Sequence, residues 1–235
     1  MSLTDQEYLR FSRHIMLEEV GEKGQMLLKN AHVCIIGMGG LGCAAAQYLA
    51  SAGVGKLSLI DNDHIERSNL QRQVLYNDAD IGQSKVSIAK RKLLAINPNI
   101  AIDSYNQSVF DITLFTQLTG IDVVLDCTDN IDTRFFINKA CVVANAKLVS
   151  AAAIQGTGQL ISFDFSQQGS PCYQCLVPQK ALTANNCSSL GVLSSLLGVM
   201  GSLQATEVLK FLLNQPQQLN QLLIFDAWKM HFNTF

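Results

Sequence analysis

The run Gly37-Met38-Gly39-Gly40-Leu41-Gly42 separates a strand-like His32–Ile36 from a helix-like Leu41–Ala52. Glycines at this spacing let backbone N–H groups come close to a phosphate, and the helix that follows favours negative charge at its start. The next strand-like segment, Leu57–Asp61, ends on an acid about 20 residues past the last glycine, where a carboxylate can grip ribose hydroxyls. This reads as a nucleotide-binding βαβ unit, with Gly37, Gly39, Gly40, Gly42 and Asp61 as contacts. Glycines that merely allow tight strand–helix packing are the weaker reading once strand, helix and Asp61 are all in place.

The residues after Asp61 sharpen this. Asp61-Asn62-Asp63-His64-Ile65-Glu66-Arg67-Ser68-Asn69-Leu70-Gln71-Arg72-Gln73 is a second polar cluster, with Lys85 a short step beyond. A nicotinamide site holds its two-phosphate bridge mainly with backbone donors and has no need of such a cluster. Cleaving a triphosphate does need one, because expelling pyrophosphate builds charge that Arg, Lys and a divalent ion must neutralise. Gly53-Val54-Gly55-Lys56 is a decoy for a P-loop: Leu57 replaces the required Ser/Thr, and Ala50 occupies the earlier glycine position.

Bulk properties narrow the classes. At 235 residues one large domain is expected over 1–235, with a nucleotide-binding half (1–150) and an antiparallel half (151–235). Apolar content of 48% with 15% charged residues excludes disorder, and a net charge of −2 gives no pull toward nucleic acid or anionic membrane. Seven cysteines without a signal peptide argue for a reducing cytoplasm. Val192–Leu213 alone raises a membrane question, but Gln204, Glu207, Lys210 and three serines make it a buried helix.

Thr4-Asp5-Gln6-Glu7 predicts a capping-box helix carrying Arg10 and Arg13 on one face, and Gln25–Lys29 a second short helix. Further helices are expected over Ser84–Ile96, Asp111–Leu118 and Asn130–Ala146. Strands are expected around Ile100–Ile102, over Asp122–Asp126 and over Lys147–Ala151. Strand–helix alternation then stops. Gly158–Phe165, Leu222–Phe225 and Trp228–Phe235 read as antiparallel strands, the last with Trp228, Met230 and Phe232 facing one way. The predicted class is α/β: a Rossmann-like parallel sheet extended by antiparallel strands.

Asp126-Cys127-Thr128-Asp129-Asn130 closes a buried strand at the edge where ligands of open α/β sheets collect. Asp129 is of the right type to hold magnesium on the phosphates; equally, Asp129 or Asn130 serves as a helix N-cap, and both roles can coexist. Arg10 and Arg13 read as a solvated face or as phosphate contacts. Cys172-Tyr173-Gln174-Cys175 has the spacing of half a zinc site. Cys187, in a polar loop before an apolar helix, is a candidate nucleophile. Cys34, Cys43, Cys127 and Cys141 read as inert core, and the four histidines form no ligand or triad pattern.

Arg10-Phe11-Ser12-Arg13, the glycine run, Ser68-Asn69-Leu70-Gln71-Arg72-Gln73, Leu125-Asp126-Cys127-Thr128-Asp129-Asn130, Pro171-Cys172-Tyr173-Gln174-Cys175-Leu176 and Gly198-Val199-Met200-Gly201-Ser202-Leu203-Gln204-Ala205 together resemble the ThiF/MoeB/HesA family, relatives of the ubiquitin-activating E1 adenylation domain. The resemblance implies an E1-like adenylation fold and adenylyltransferase activity. The terminal carboxylate of a ubiquitin-like sulfur carrier ending in Gly-Gly attacks the α-phosphate of ATP, giving an acyl-adenylate and pyrophosphate. It further implies that Gly40, Asp61, Ser68, Asn69, Gln71, Arg72, Lys85, Asp129 and Asn130 bind ATP with Mg2+. Arg13 would act from the other subunit of a homodimer. Cys187 would take part in sulfur transfer or in a thioester with the carrier, with a sulfurtransferase as a further partner, and the antiparallel half would bind the carrier. Val177 to Leu190 would cover the carrier's tail. Family members also carry a second Cys-x-x-Cys that completes a Zn2+ site; residues 1–235 contain none, and the retained Cys172 and Cys175 with Pro171 favour a tail beyond Phe235 over loss of zinc.

Two other readings remain. An NAD-linked oxidoreductase accounts for the turn and Asp61 but leaves Arg72, Lys85 and Asp129 without work. A non-catalytic carrier-docking protein would not need them intact. Between thiamine and molybdopterin synthesis, Asn186-Cys187 and Val199-Met200-Gly201 lean toward the thiamine type.

Overall fold

The computed structural model describes residues 2–111, 118–167, 169–177 and 191–235. Eight strands form one continuous sheet in the order β3-β2-β1-β4-β5-β6-β7-β8. β1 (His32–Ile36), β2 (Lys56–Ile60), β3 (Ala101–Tyr105), β4 (Val123–Asp126) and β5 (Lys147–Ile154) run parallel. β6 (Thr157–Asp164), β7 (Leu223–Asp226) and β8 (His231–Thr234) add on antiparallel. The strand order reverses beside β1, which pairs with both β2 and β4. Such a switch point opens a crevice at the carboxyl ends of the strands. The expected α/β architecture is the one observed.

Strand side chains alternate between two apolar layers, as the pleat requires. Val33, Ile35, Val123 and Leu125 join one core cluster, and Cys34, Ile36 and Val124 the other. The N-terminal region forms α1 (Asp5–Arg10), α2 (Ser12–Ile15) and α3 (Gly21–Asn30). The first layer is covered by α4 (Gly40–Ala52), α5 (Lys85–Ile96) and the long α8 (Ser194–Leu212); the second by α6 (Ile131–Ala144) with the short α7 (Tyr173–Leu176) beside it. The apolar Val192–Leu213 stretch is thus a core helix with Gln204 fully buried. Among the described residues no helix is long and apolar enough to cross a membrane. Close approach of α8 to α4 depends on Gly201, where a Cβ would lie 2.5 Å from the Leu41 carbonyl oxygen and 2.8 Å from the Ala44 Cβ.

Two expectations are corrected. The first helix breaks at Phe11, whose buried ring packs on Gly53, so Arg10 ends α1 while Arg13 belongs to α2. Trp228 and Met230 lie in the turn between β7 and β8 rather than on a strand, and the Trp228 indole lies over Gly156. The alternation continued past Asp226 only in composition: Asp226 accepts from the backbone N–H groups of Trp228 and Lys229, at 3.0 and 3.1 Å, and closes the turn there. The helix expected over Asp111–Leu118 falls largely on 112–117, outside the described residues.

The N-terminal pair is held by charge as well as by Phe11. Thr4 and Glu7 form the expected capping box, and Glu7 also meets Lys29 of α3 at 2.7 Å. The Lys29 hydrogen bond, with those from Thr4, holds the Glu7 carboxyl below its ordinary value of 4.5. A carboxyl depressed in the folded state contributes stability above its unfolded pKa and loses it as pH falls through the folded one. Glu7→Gln should therefore be less stable than wild type at neutral pH, with the gap closing as pH falls below about 4.5. Urea unfolding across pH measures this; a gap that stays constant into acid would contradict it.

Candidate nucleotide site

Backbone packing builds the site. Gly37 leaves β1 at φ +92°, against the end of β4, where a Cβ would lie 2.9 Å from the Cys127 carbonyl oxygen. A Cβ on Gly42 would overlap the Gly37 carbonyl oxygen, so the first turn of α4 folds directly onto the strand it follows. At Gly40 a Cβ would lie 3.1 Å from the Arg72 carbonyl oxygen, and at Gly39 one would lie 3.7 Å from Gln73 Nε2. Gly39 is the N-cap of α4 and offers no side-chain cap, which leaves the first backbone donors of the helix to a ligand. Segments 37–42, 61–63, 68–76 and 126–128 thereby meet at one place.

Asp61 ties the turn to β2. Its Oδ2 accepts from the Met38 N–H at 2.6 Å and its Oδ1 from the Asp63 N–H at 2.8 Å. Burial pushes the Asp61 carboxyl above its usual value, against the pull of the Lys85 ammonium and the two N–H donors. Lys85 opens α5; its buried ammonium lies 2.7 Å from the exposed Asp63 carboxylate. The Tyr76 hydroxyl donates to the Met38 carbonyl at 2.9 Å and lies 3.3 Å from that of Lys85, which couples the turn to α5. Arg72 Nη1 donates to the Ser68 carbonyl at 2.8 Å. Asn69 is buried, its side-chain oxygen accepting from the Glu66 N–H at 3.2 Å, while Ser68 and Gln71 are exposed.

At the end of β4 a buried network replaces what the sequence showed only as a strand end. The Asp126 carboxylate accepts from the Thr128 N–H and hydroxyl, at 3.0 and 2.6 Å, and from the Ser150 hydroxyl at 2.7 Å. Arg134 of α6 lies 3.6 Å from it and donates to Ser150 Oγ at 3.2 Å, to the Ala151 carbonyl at 2.8 Å and to the Thr128 carbonyl. Gln204 of α8 donates to the Asp126 carbonyl at 2.9 Å. Removing one partner of a buried ion pair costs roughly 3–5 kcal/mol, so this network fixes the loop that carries Asp129. Asn130 caps α6 by accepting from the Thr133 N–H at 2.9 Å, in line with the helix-cap reading. Asp129 is exposed beside it, and no cluster of three metal-binding side chains exists among the described residues. One carboxylate suits Mg2+ that is also held by phosphate oxygens and water, and suits no free-standing metal site.

Other candidates lie apart. Phe11 seats the α1–α2 corner at the far end of α4 from the glycine turn, a helix of 13 residues and hence about 20 Å. Exposed Arg13 on that corner makes no hydrogen bond or ion pair among the described residues and belongs to the end of α4 away from its own turn. Cys172 and Cys175 sit beside α6, their sulfurs 3.7 Å apart, with Tyr173 N–H donating to Asn138 Oδ1 at 2.9 Å. Two thiolates on one tetrahedral zinc stand about 3.8 Å apart, given Zn–S bonds of about 2.3 Å. The pair therefore fits half of such a site, with no further ligand gathered among the described residues. Cys187 and nearly all of Val177 to Leu190 lie outside the described residues. Burial pushes the Cys34 and Cys43 thiols up to about 12 and raises those of Cys127 and Cys141, as inert core thiols should behave.

Tyr76, Arg134 and Ser150 escaped sequence reasoning because their partners come from other elements, and Asp63 stood in the quoted polar run without an assigned task. Gln73 and Gln204 stood within recognised motifs without an assigned task.

The chain is similar to known proteins over nearly its whole length. The ThiF family profile matches residues 11–235. The chain is 46% identical to the molybdopterin-synthase adenylyltransferase of Escherichia coli over 231 residues, 98% of this chain and 92% of that protein. It is 45% identical to the adenylyltransferase and sulfurtransferase MOCS3 of Sus scrofa, covering 96% of this chain and 50% of that one. Among solved structures, E. coli MccB with ATP superposes with a TM-score of 0.82 at 26% identity, covering 99% of this chain and 72% of that one. These curated relatives are adenylyltransferases, which answers the expectation of a nucleotidyl-transferring enzyme, and the lean toward the thiamine branch finds no support in them. With the family profile spanning the glycine turn, the polar cluster and both halves of the sheet, the chain belongs to the ThiF family.

Proposed function

We propose that this enzyme adenylates the C-terminal glycine of a ubiquitin-like sulfur-carrier protein of the molybdopterin-synthase type, as a single adenylation domain working in the cytoplasm. The observation that carries the reading is the meeting of the glycine turn with the segment that bears the cations, Gly40 against the Arg72 backbone carbonyl and Asp61 beside Lys85. The likeness to molybdopterin-synthase adenylyltransferase supports the carrier class, and the structural likeness to MccB with ATP supports the nucleotide.

In this reading the carrier's carboxylate oxygen bonds to the α-phosphorus. The bond from that phosphorus to the bridging oxygen breaks, and pyrophosphate leaves with the electron pair. No proton need move, so the protein's work is alignment and charge stabilisation. Backbone donors at Gly39, Gly40 and Gly42 hold phosphate oxygens, and the carboxyl of Asp61 accepts from ribose hydroxyls; Gly37, expected as a further contact, gives its N–H to the Ile60 carbonyl at 2.9 Å and shapes the turn instead. Ser68, Asn69, Gln71 and Asn130 line the nucleotide, and Arg72 and Lys85 face the departing pyrophosphate. Asp129 holds Mg2+, which when bound neutralises phosphate charge. For Lys85 to do this it must share or leave its ion pair with Asp63. Arg13 serves the site of a second copy in a homodimer, in keeping with its distance from its own turn and with exposed Leu9, Met16 and Leu17 around it. Cys187 acts only after adenylation, in a sulfur step.

Pyrophosphate exchange into ATP that requires a Gly-Gly-ended carrier tests the reading, with molybdopterin-type carrier preferred over thiamine-type. Exchange absent with both would favour the docking-protein alternative. Asp129→Ala should abolish exchange while its urea midpoint stays near wild type, since an exposed carboxylate is removed; unchanged exchange would exclude the magnesium role. Arg13→Ala and Arg72→Ala should each be inactive alone, yet a mixture of the two should regain activity because one complete site then assembles. No recovery in verified mixed dimers would rule out action across the interface.

A further inference from the structure

Gln73 is 97% buried beside the glycine turn, with 3% of its surface exposed, and yet its amide oxygen lacks a partner among the described residues. Oε1 is sealed from solvent and meets no donor among the described residues, while Nε2 faces Gly39. Its backbone is fixed: Gln73 N–H donates to the Asn69 carbonyl at 3.0 Å, and the Gln73 carbonyl accepts from the Tyr76 N–H at 3.0 Å. Tyr76 in turn is bonded to Met38. The amide is thus set against the uncapped start of a 13-residue helix by a loop tied to the turn through Tyr76. A buried amide group left unmatched costs on the order of 1–3 kcal/mol, so native folds keep one only where something else satisfies it. Gly39 adds the second half of the argument: a side chain there would stand 3.7 Å from Nε2, in the space between the amide and the turn.

We infer that Gln73 is a substrate-binding residue for the polyphosphate of ATP. Its Nε2 donates to a phosphate oxygen seated on the Gly39 turn, and Oε1 accepts from water brought in with the charged phosphates. This rests on the nucleotide reading above and assigns the amide to the phosphates rather than to the base or ribose. A Cβ at Gly39 would make an ordinary contact with the amide and take up room the phosphate needs.

The test is calorimetric and needs neither carrier nor turnover. Wild type, Gln73→Ala and the near-isosteric Gln73→Glu are titrated with α,β-methylene ATP and, separately, with adenosine. A hydrogen bond to a charged group contributes roughly 1.5–3 kcal/mol, a factor of about ten to a hundred in affinity. Gln73→Ala should lose about that factor for the ATP analogue, and Gln73→Glu more, because a carboxylate then faces the phosphates; adenosine affinity should hold in both. Equal losses for adenosine and analogue, or no loss for either, would overturn the assignment. A wild type that binds the analogue but shows no carrier-dependent exchange would instead count against the adenylation reading and leave the Gln73 assignment to the titrations.

Discussion

The site depends on a contact in which no side chain takes part. The Cα of Gly42 packs on the carbonyl oxygen of Gly37, and Gly37 itself packs on the backbone of Cys127. Any Cβ at Gly42 would prise α4 from the end of β1, and a Cβ at Gly37 would meet the end of β4. Because β1 sits where the strand order reverses, this closure draws loops from β2 and β4 to one point. The glycine turn, Asp61 and the loop that leads to Asp129 then lie together at that point. Side-chain chemistry is layered onto that closure.

Charge is arranged unevenly around it. Asp126 and Arg134 are buried together, satisfied by Thr128, Ser150 and the Ala151 carbonyl, so that end of the sheet is rigid. Lys85 is buried too, but its partner Asp63 is exposed. The first pair is scaffold. The second is reachable by an incoming anion, and Asp61 beside it keeps a raised carboxyl that accepts strongly. Preorganised donors in a site of low polarity are worth more than the same groups in water, and here most are positioned before any substrate arrives.

Much of this was legible in the amino-acid order. β1 was predicted at its observed bounds because an apolar run stops at glycine, and the capping box at Thr4–Glu7 formed as written. The glycine turn and Asp61 were readable because the βαβ spacing fixes them locally. Arg134, Ser150 and Gln204 were not, since a network that joins residues up to 78 positions apart leaves no periodic trace. The break at Phe11 hid for the same reason: Gly53, which receives its ring, lies beyond a whole strand and helix. The antiparallel half showed its strands but not the turn that takes Trp228 and Met230. The role expected of Arg13 came from resemblance, and its place near the end of α4 away from the glycine turn emerged only when Phe11 was seen to pack on Gly53.

The central claim is that the cations following β2 serve to split a nucleotide. Incubating the protein with ATP, Mg2+ and a carrier ending in Gly-Gly, then weighing the carrier by rapid-quench mass spectrometry, tests it most directly. The account predicts a carrier heavier by one adenylyl group, with pyrophosphate released in equal amount. A carrier of unchanged mass, from a protein that binds NAD and leaves ATP intact, would contradict it.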